Sequence, residues 1–176
     1  IKLLCETARP NHGIITNIGK AHLEGFGNLQ GVIDTKNELY NYLKSDNGVV
    51  FINSNNTFTK NLLNGYPSSY TFGSHAGVDI FGEQVESDLF LKVKYISNLY
   101  EHEDILESQL FGAYNLDNVL ASVCIGEYFE IPSDKIKSAV EKYTPDNNRS
   151  QVKFKGSAVI ILDAYNANPS SMELAI

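Results

Sequence analysis

Cysteine is scarce in this chain: 176 residues carry only Cys5 and Cys124. Two thiols in apolar helical contexts build neither a disulfide framework nor a cysteine metal spacing, so buried free thiols are expected. Long apolar runs are missing too, and none approaches the length of a membrane span. Positive charge is in the minority, with 14 Lys and Arg against 21 Asp and Glu and a net charge of −7. That excludes a general nucleic-acid binder, which needs clustered cations, but not a single nucleotide held by a local site. No Gly-x-x-Gly-Lys-Ser/Thr phosphate loop occurs anywhere in the sequence. No signal peptide is visible, and the chain opens inside what reads as the last turns of a helix, Ile1 to Ala8, so the natural N-terminus is expected upstream.

What is present is ordinary for a globular chain, 43% hydrophobic and 20% charged, long enough for one good-sized domain. Gly13-Ile14-Ile15 reads as a short buried strand. A helix is expected from about Leu29 to Leu43, with Val32, Ile33, Lys36, Leu39, Tyr40 and Leu43 at helical spacing. Val49 to Asn53 reads as a second strand, Asn55 to Leu63 as a short helix capped near Asn56 or Thr57, and Tyr70 to Gly73 as a third strand end. Strands alternating with helices over short turns predict a mostly parallel sheet flanked by helices, an α/β fold. From 78 to 110 the apolar residues alternate with polar ones, which predicts about three antiparallel strands, as a side sheet or an edge extension. The acids there, Asp79, Glu83, Glu86, Asp88, Glu101, Glu103, Asp104 and Glu107, read as a solvated face. Ser133 is expected to cap a helix running to about Tyr143, and Val152–Phe154 with Ala158–Leu162 form a strand pair.

Several side chains stand out chemically. The run Thr16 to Gly27 follows a strand, carries Gly19, Gly25 and Gly27 with one imidazole at His22, and lies where α/β sheets place ligands. A capping or core histidine is the plainer reading of His22. Lys36 falls on an apolar helix face, where an unpaired ammonium is costly unless its stem snorkels. Asn115 and Asn118 project from one face at the start of a helix, with Gly112 allowing close approach; Asn115 as a helix cap is the plainer alternative. Arg149 could fork a phosphate and Asp163, ending an apolar strand, could reach a ribose hydroxyl, against a surface arginine and a capping aspartate.

The residues Ile15-Thr16-Asn17-Ile18-Gly19, Ala21-His22-Leu23-Glu24-Gly25-Phe26-Gly27 and Lys36-Asn37-Glu38-Leu39 resemble the Mur ligase family. So does Gly112-x-x-Asn115-x-x-Asn118-x-x-Ala121. The stretch Asp163-Ala164-Tyr165-Asn166-Ala167-Asn168-Pro169 is similar to the signature of the branch that adds D-alanyl-D-alanine, and it is the most specific match. The resemblance implies a central ATP-binding domain of the phosphate-loop type without its phosphate-loop strand over residues 1–156, and the start of a C-terminal ligase domain over 157–176. It implies catalytic and magnesium-binding roles for His22 and for Lys36 as a carbamate, contacts to ATP from Asn115, Asn118, Arg149 and Asp163, and substrate contacts from Asn166 and Asn168. ATP and Mg2+ are then the cofactors.

By the same likeness the parent joins D-alanyl-D-alanine to UDP-N-acetylmuramoyl-tripeptide through an acyl phosphate. It acts as a monomer in the bacterial cytoplasm, serving peptidoglycan synthesis and with it cell-wall biogenesis, cell shape and division. Lacking the phosphate loop and the family's upstream metal-binding glutamate, this chain is expected to be a part of the ligase that is inactive alone. A sister amide ligase such as the folate polyglutamylating enzyme, or a non-catalytic nucleotide-binding module, are the alternatives.

Overall fold

A computed structural model describes residues 1–19, 27–62, 65–146 and 148–163. In order they form α1 (Lys2–Ala8), β1 (His12–Ile15), α2 (Leu29–Ser45), β2 (Val49–Asn53), α3 (Thr57–Leu62), β3 (Ser69–Gly73), β4 (Ile80–Val85), β5 (Phe90–Ser97) and β6 (His102–Phe111). A 3-10 turn (Ala113–Asn115), α4 (Leu116–Tyr128), α5 (Ser133–Lys142), β7 (Gln151–Lys155) and β8 (Ala158–Leu162) follow. One six-stranded sheet has the order β1-β2-β3-β4-β5-β6, and β7 with β8 makes a separate antiparallel pair. The pairs from β1 to β4 are parallel and the last two antiparallel. This is the expected mostly parallel α/β fold.

The sequence of β2 shows why the sheet is covered twice. Val50 and Ile52 face a cluster with Val32, Tyr40 and Leu43 of α2, while Phe51 faces the larger cluster built on Val119, Leu120 and Val123 of α4. A strand buried on both faces needs a continuous apolar run, which Val49-Val50-Phe51-Ile52 supplies. Tyr40, fully buried, spans β1 and β2: its hydroxyl accepts from the Ile15 N–H at 3.0 Å and donates to the Phe51 carbonyl at 2.9 Å. Burial pushes the phenol up to about 12, so it stays protonated as that donor requires. Tyr40→Phe strands two backbone groups in the interior. It is expected to cost about 1–3 kcal/mol, read as a lower urea midpoint with an unchanged slope; an unaltered midpoint would mean that the strands do not depend on the hydroxyl.

The antiparallel section proves to be an extension of the main sheet. β4 meets β3 over Phe72–Ile80 and Gly73–Phe81 alone. A parallel neighbour ordinarily needs a crossover of a dozen residues; here β4 starts beside the end of β3, so residues 74–79 suffice. Leu91, Val93, Tyr95 and Ser97 alternate inward along β5, and Lys92 and Lys94 outward. The acids of this section are less idle than expected. Glu107 and Glu103 pair with Lys92 (2.6 Å) and Lys94 (3.1 Å), and Asp104 with Lys137 of α5 (2.8 Å). Asp79 accepts from both the Thr71 N–H and hydroxyl.

α4 runs antiparallel to the first strands. Its first turn meets the end of β2, where Asp117 accepts from Asn53, and its last turn meets the start of β1, where Tyr128 bonds His12 at 2.9 Å. Gly82 of β4 permits this approach, since a Cβ there would lie 2.3 Å from Leu120. Both cysteines are free and buried. Asn56 caps α3 as foreseen, accepting from the Phe58 and Thr59 N–H groups. Ser133 does not cap α5: Pro132 occupies the cap position, with its fixed φ suited to the extended entry, and Ser133 is the first helical residue.

Candidate functional site

The chain leaving β1 is held at three successive carbonyls, each by a side chain from a different element. Asn53 at the end of β2 donates to Thr16 O (2.9 Å), Lys36 of α2 to Asn17 O (2.8 Å), and Asn56 at the cap of α3 to Ile18 O (3.1 Å). Lys36 sits on α2 between the buried residues Val32 and Tyr40, one turn away on either side. Its side chain is thereby drawn half out of water, and that desolvation lowers its pKa below the usual 10.5. His22, the other residue expected at this edge, lies outside the described residues, as do Asn166 and Asn168.

The second group gathers where α4 begins. Asn115 is 7% exposed and does not cap the helix with its side chain. Its amide donates to Phe111 O (2.8 Å) and to the Ser150 hydroxyl (3.1 Å), and its oxygen accepts from Asn118 (3.1 Å). The Tyr114 hydroxyl bonds Ser150 at 2.7 Å and donates to the Asp163 carboxylate at 3.3 Å. Burial, and then the negative Asp163 beside it, raise the Tyr114 pKa. Gly112, at φ +89, turns the chain so that the Tyr114 ring packs where a Cβ would stand. Asn115, Asn118 and Asp163 thus join one network, with the exposed Arg149 next to Ser150 in sequence.

Asn53, Asn55 and Asp117 link the two groups. Asp117 Oδ2 accepts from Asn53 (2.8 Å) and Oδ1 from Asn55 (2.6 Å); Asn53 Oδ1 takes the Asn55 N–H and Asn55 Oδ1 takes the Ser74 N–H. The sequence reading assigned no role to these residues, nor to Tyr114 or Ser150. The signal was there: Asn53-Ser54-Asn55-Asn56 is an amide-rich run directly after a buried strand, the position that drew attention to the loop after β1. Elsewhere, a cavity of about 370 Å³ opens beside Tyr100, His102, Glu127, Ile131 and Pro132. There the buried Glu127 accepts from Ser97 and meets His102 at 3.1 Å, a clamp of α4 on the β5–β6 turn.

The sequence profile of the Mur ligase middle domain matches residues 2–126. The chain belongs to the Mur ligase family. Among curated relatives, this Mur ligase domain is 30% identical over its whole length to the UDP-N-acetylmuramoyl-tripeptide–D-alanyl-D-alanine ligase of Bacillus subtilis, covering 37% of that protein. It is 28% identical to the ligase of the same name from Treponema pallidum, again covering 37% of it. Among solved structures it is similar to MurF from Acinetobacter baumannii, with a TM-score of 0.83 at 24% identity over 99% of this chain and 38% of that one. MurF from Thermotoga maritima in complex with ADP gives 0.85 at 21% identity, over 99% and 40%. These structural likenesses support the fold. The chain spans little more than a third of the length of the relatives it matches.

Among the described residues no group of three His, Cys, Asp or Glu side chains gathers that could hold a metal ion. A carbamate at Lys36 would form by attack of the neutral amine on carbon dioxide, which the lowered pKa favours, and its Nζ would keep one N–H for Asn17 O. Among these side chains Asn118 offers an amide, Asp163 an accepting carboxylate and Arg149 a donating guanidinium. Among the described residues no helix is long and apolar enough to cross a membrane.

Proposed function

We propose that this chain is the nucleotide-facing part of an ATP-dependent ligase that forms the amide bond between D-alanyl-D-alanine and UDP-N-acetylmuramoyl-tripeptide in bacterial peptidoglycan synthesis. One observation carries the reading within the family: Lys36 and Asn53 hold successive carbonyls after β1, and Asn53 also bonds Asp117, the residue before Asn118 of the Asn115–Asn118–Asp163 network. Curated relatives of that name match over the whole chain. ATP supplies the phosphoryl group that activates the tripeptide carboxylate, leaving an acyl phosphate for the amine to attack.

The chain's own residues bind and orient. Asn118, exposed on α4, offers its amide to the base, and Asp163 accepts from ribose hydroxyls. Arg149 meets phosphate charge. Asn115 acts one step back, fixing Asn118 and Ser150. Lys36 as a carbamate, with His22, belongs to the magnesium side, and Asn166 and Asn168 to the peptide side. Residues 1–156 form the ATP-binding portion and 157–176 begin the ligase portion; that boundary falls in the turn of the β7–β8 hairpin. The resemblance also supports a monomer in the cytoplasm, with a part in cell shape and division.

The test is ATP affinity in the intact ligase. Asn118→Ala and Asp163→Ala each remove one hydrogen bond to ligand, about 0.5–1.5 kcal/mol, and are expected to weaken ATP binding several-fold with little change in melting temperature. Asn115→Ala strands buried partners and is expected to lower the melting temperature as well. Unchanged ATP affinity in the first two variants would remove the nucleotide from this network.

A further inference from the structure

Asn53 is 1% exposed, and its amide is saturated by the protein. One proton goes to Thr16 O, the other to Asp117 Oδ2, and the amide oxygen takes the Asn55 N–H. Turning the amide over would set oxygen against a carbonyl and a carboxylate, so the hydrogen-bond pattern admits one orientation. Asp117 uses its second oxygen on Asn55, which is itself anchored by the Ser74 N–H. An acidic residue in the first turn of a helix is ordinarily read as a complement to the helix dipole. Asp117 does more than that: through one side chain it ties the start of α4, which carries Asn118, to the backbone of Thr16. The next carbonyl, Asn17 O, is the one Lys36 grips.

We infer that Asp117 and Asn53 are positioning residues that set the spacing between the Lys36 side and the nucleotide side of the site. This rests on the ligase reading above. A nucleotide bound along α4 and the groups around Lys36 act on the same phosphoryl transfer, and misplacement by a fraction of an ångström is expressed in turnover before it is expressed in binding. The link is built of charge-assisted bonds to a carboxylate, which are stronger than neutral ones.

The test has two arms. In the intact ligase, Asp117→Asn keeps the shape but sets an amide against the amides of Asn53 and Asn55. It is expected to lower kcat about ten- to hundredfold, the equivalent of one such bond, with the KM for ATP within about twofold of the parent. Asp117→Ala is expected to lower kcat further. A lower melting temperature with kcat intact would show a purely structural role, and a raised ATP KM with kcat intact would make Asp117 a nucleotide contact; either result overturns the inference. In the 176-residue chain, the side-chain amide protons of Asn53 are expected to exchange slowly by NMR. In Asp117→Ala they are expected to exchange fast, while those of Asn56, which bond Ile18 O, do not change. Equal protection of Asn53 in both proteins would overturn the link. If the parent ligase forms no amide, the ligase reading fails, and the exchange arm still decides whether the link exists.

Discussion

In the intact ligase, Lys36→Ala is expected to cut amide formation by roughly 10²–10³, the scale of losing one well-placed charge-stabilising group. Lys36→Arg is expected to lose as much, because a guanidinium keeps the cation but cannot take up carbon dioxide. Added acetate or formate is expected to return part of the activity of the Ala variant and none of that of the Arg variant, whose longer side chain fills the space. The reason lies on α2. The buried turn between Val32 and Tyr40 desolvates Lys36 and lowers its pKa. At any pH below about 10.5, more of this amine is neutral than of a solvated lysine. Carbamylation, and with it activity, is therefore expected to rise with pH and with dissolved carbon dioxide, and to fall when carbon dioxide is stripped. The sign for folding is consistent: the unfolded chain binds the proton more tightly, so this group opposes folding below its folded pKa and ceases to do so as pH rises towards 10.5. Normal turnover in Lys36→Ala, or full activity in Lys36→Arg, would rule the carbamate out.

Much of this architecture was legible because the signals are local. The helical spacing around Lys36, the uninterrupted apolar run of β2 and the alternation along β5 each report a face that must be buried. What could not be read was how those pieces meet. The alternation over 78–110 reveals strands but not partners, and only the offset of β4 against β3 shows that they extend the parallel sheet. Asp79 and Asp104 looked like solvent-facing charge because their partners, Thr71 and Lys137, are set by tertiary packing.

The site was half legible for the same reason. Lys36 is unusual in its own context, so its sequence neighbours sufficed to single it out. Asn115 stands out by its spacing from Asn118, but its bond to Ser150, 35 residues on, and the reach of Asp163 to it through Tyr114 are not local. Asn53 and Asp117 lie 64 residues apart, and each alone resembles a strand-end amide or a helix-start acid. Pairings at such separations come from the fold, and a single sequence carries no mark of them.

The 176-residue chain by itself is expected to unfold cooperatively yet to show neither ATP hydrolysis nor amide formation with D-alanyl-D-alanine, UDP-N-acetylmuramoyl-tripeptide and magnesium. Cooperative folding follows from apolar clusters on both faces of one sheet: Tyr40, Leu43, Val50 and Ile52 on one side, Phe51, Phe72, Leu120 and Val123 on the other. Turnover requires more. Charge gathers on the transferred phosphoryl group, and phosphate-loop enzymes meet it with a cradle of backbone N–H groups and a lysine. The sequence holds no Gly-x-x-Gly-Lys-Ser/Thr run to build that cradle. Lys36, the one lysine singled out at this edge, is committed to Asn17 O. Each missing donor costs roughly 10²–10³ in rate, and the whole set is absent, so activity would fall below detection. The side-chain amide of Asn118 and the carboxylate of Asp163 cannot neutralise a triphosphate. A calorimetric titration is expected to find at most weak ATP binding, because the phosphate-loop contacts are lacking and Arg149 is left to meet the phosphates without them. Tight ATP binding, or measurable hydrolysis, would mean that these residues hold a phosphate site of another design, with Arg149 the first residue to replace in search of it.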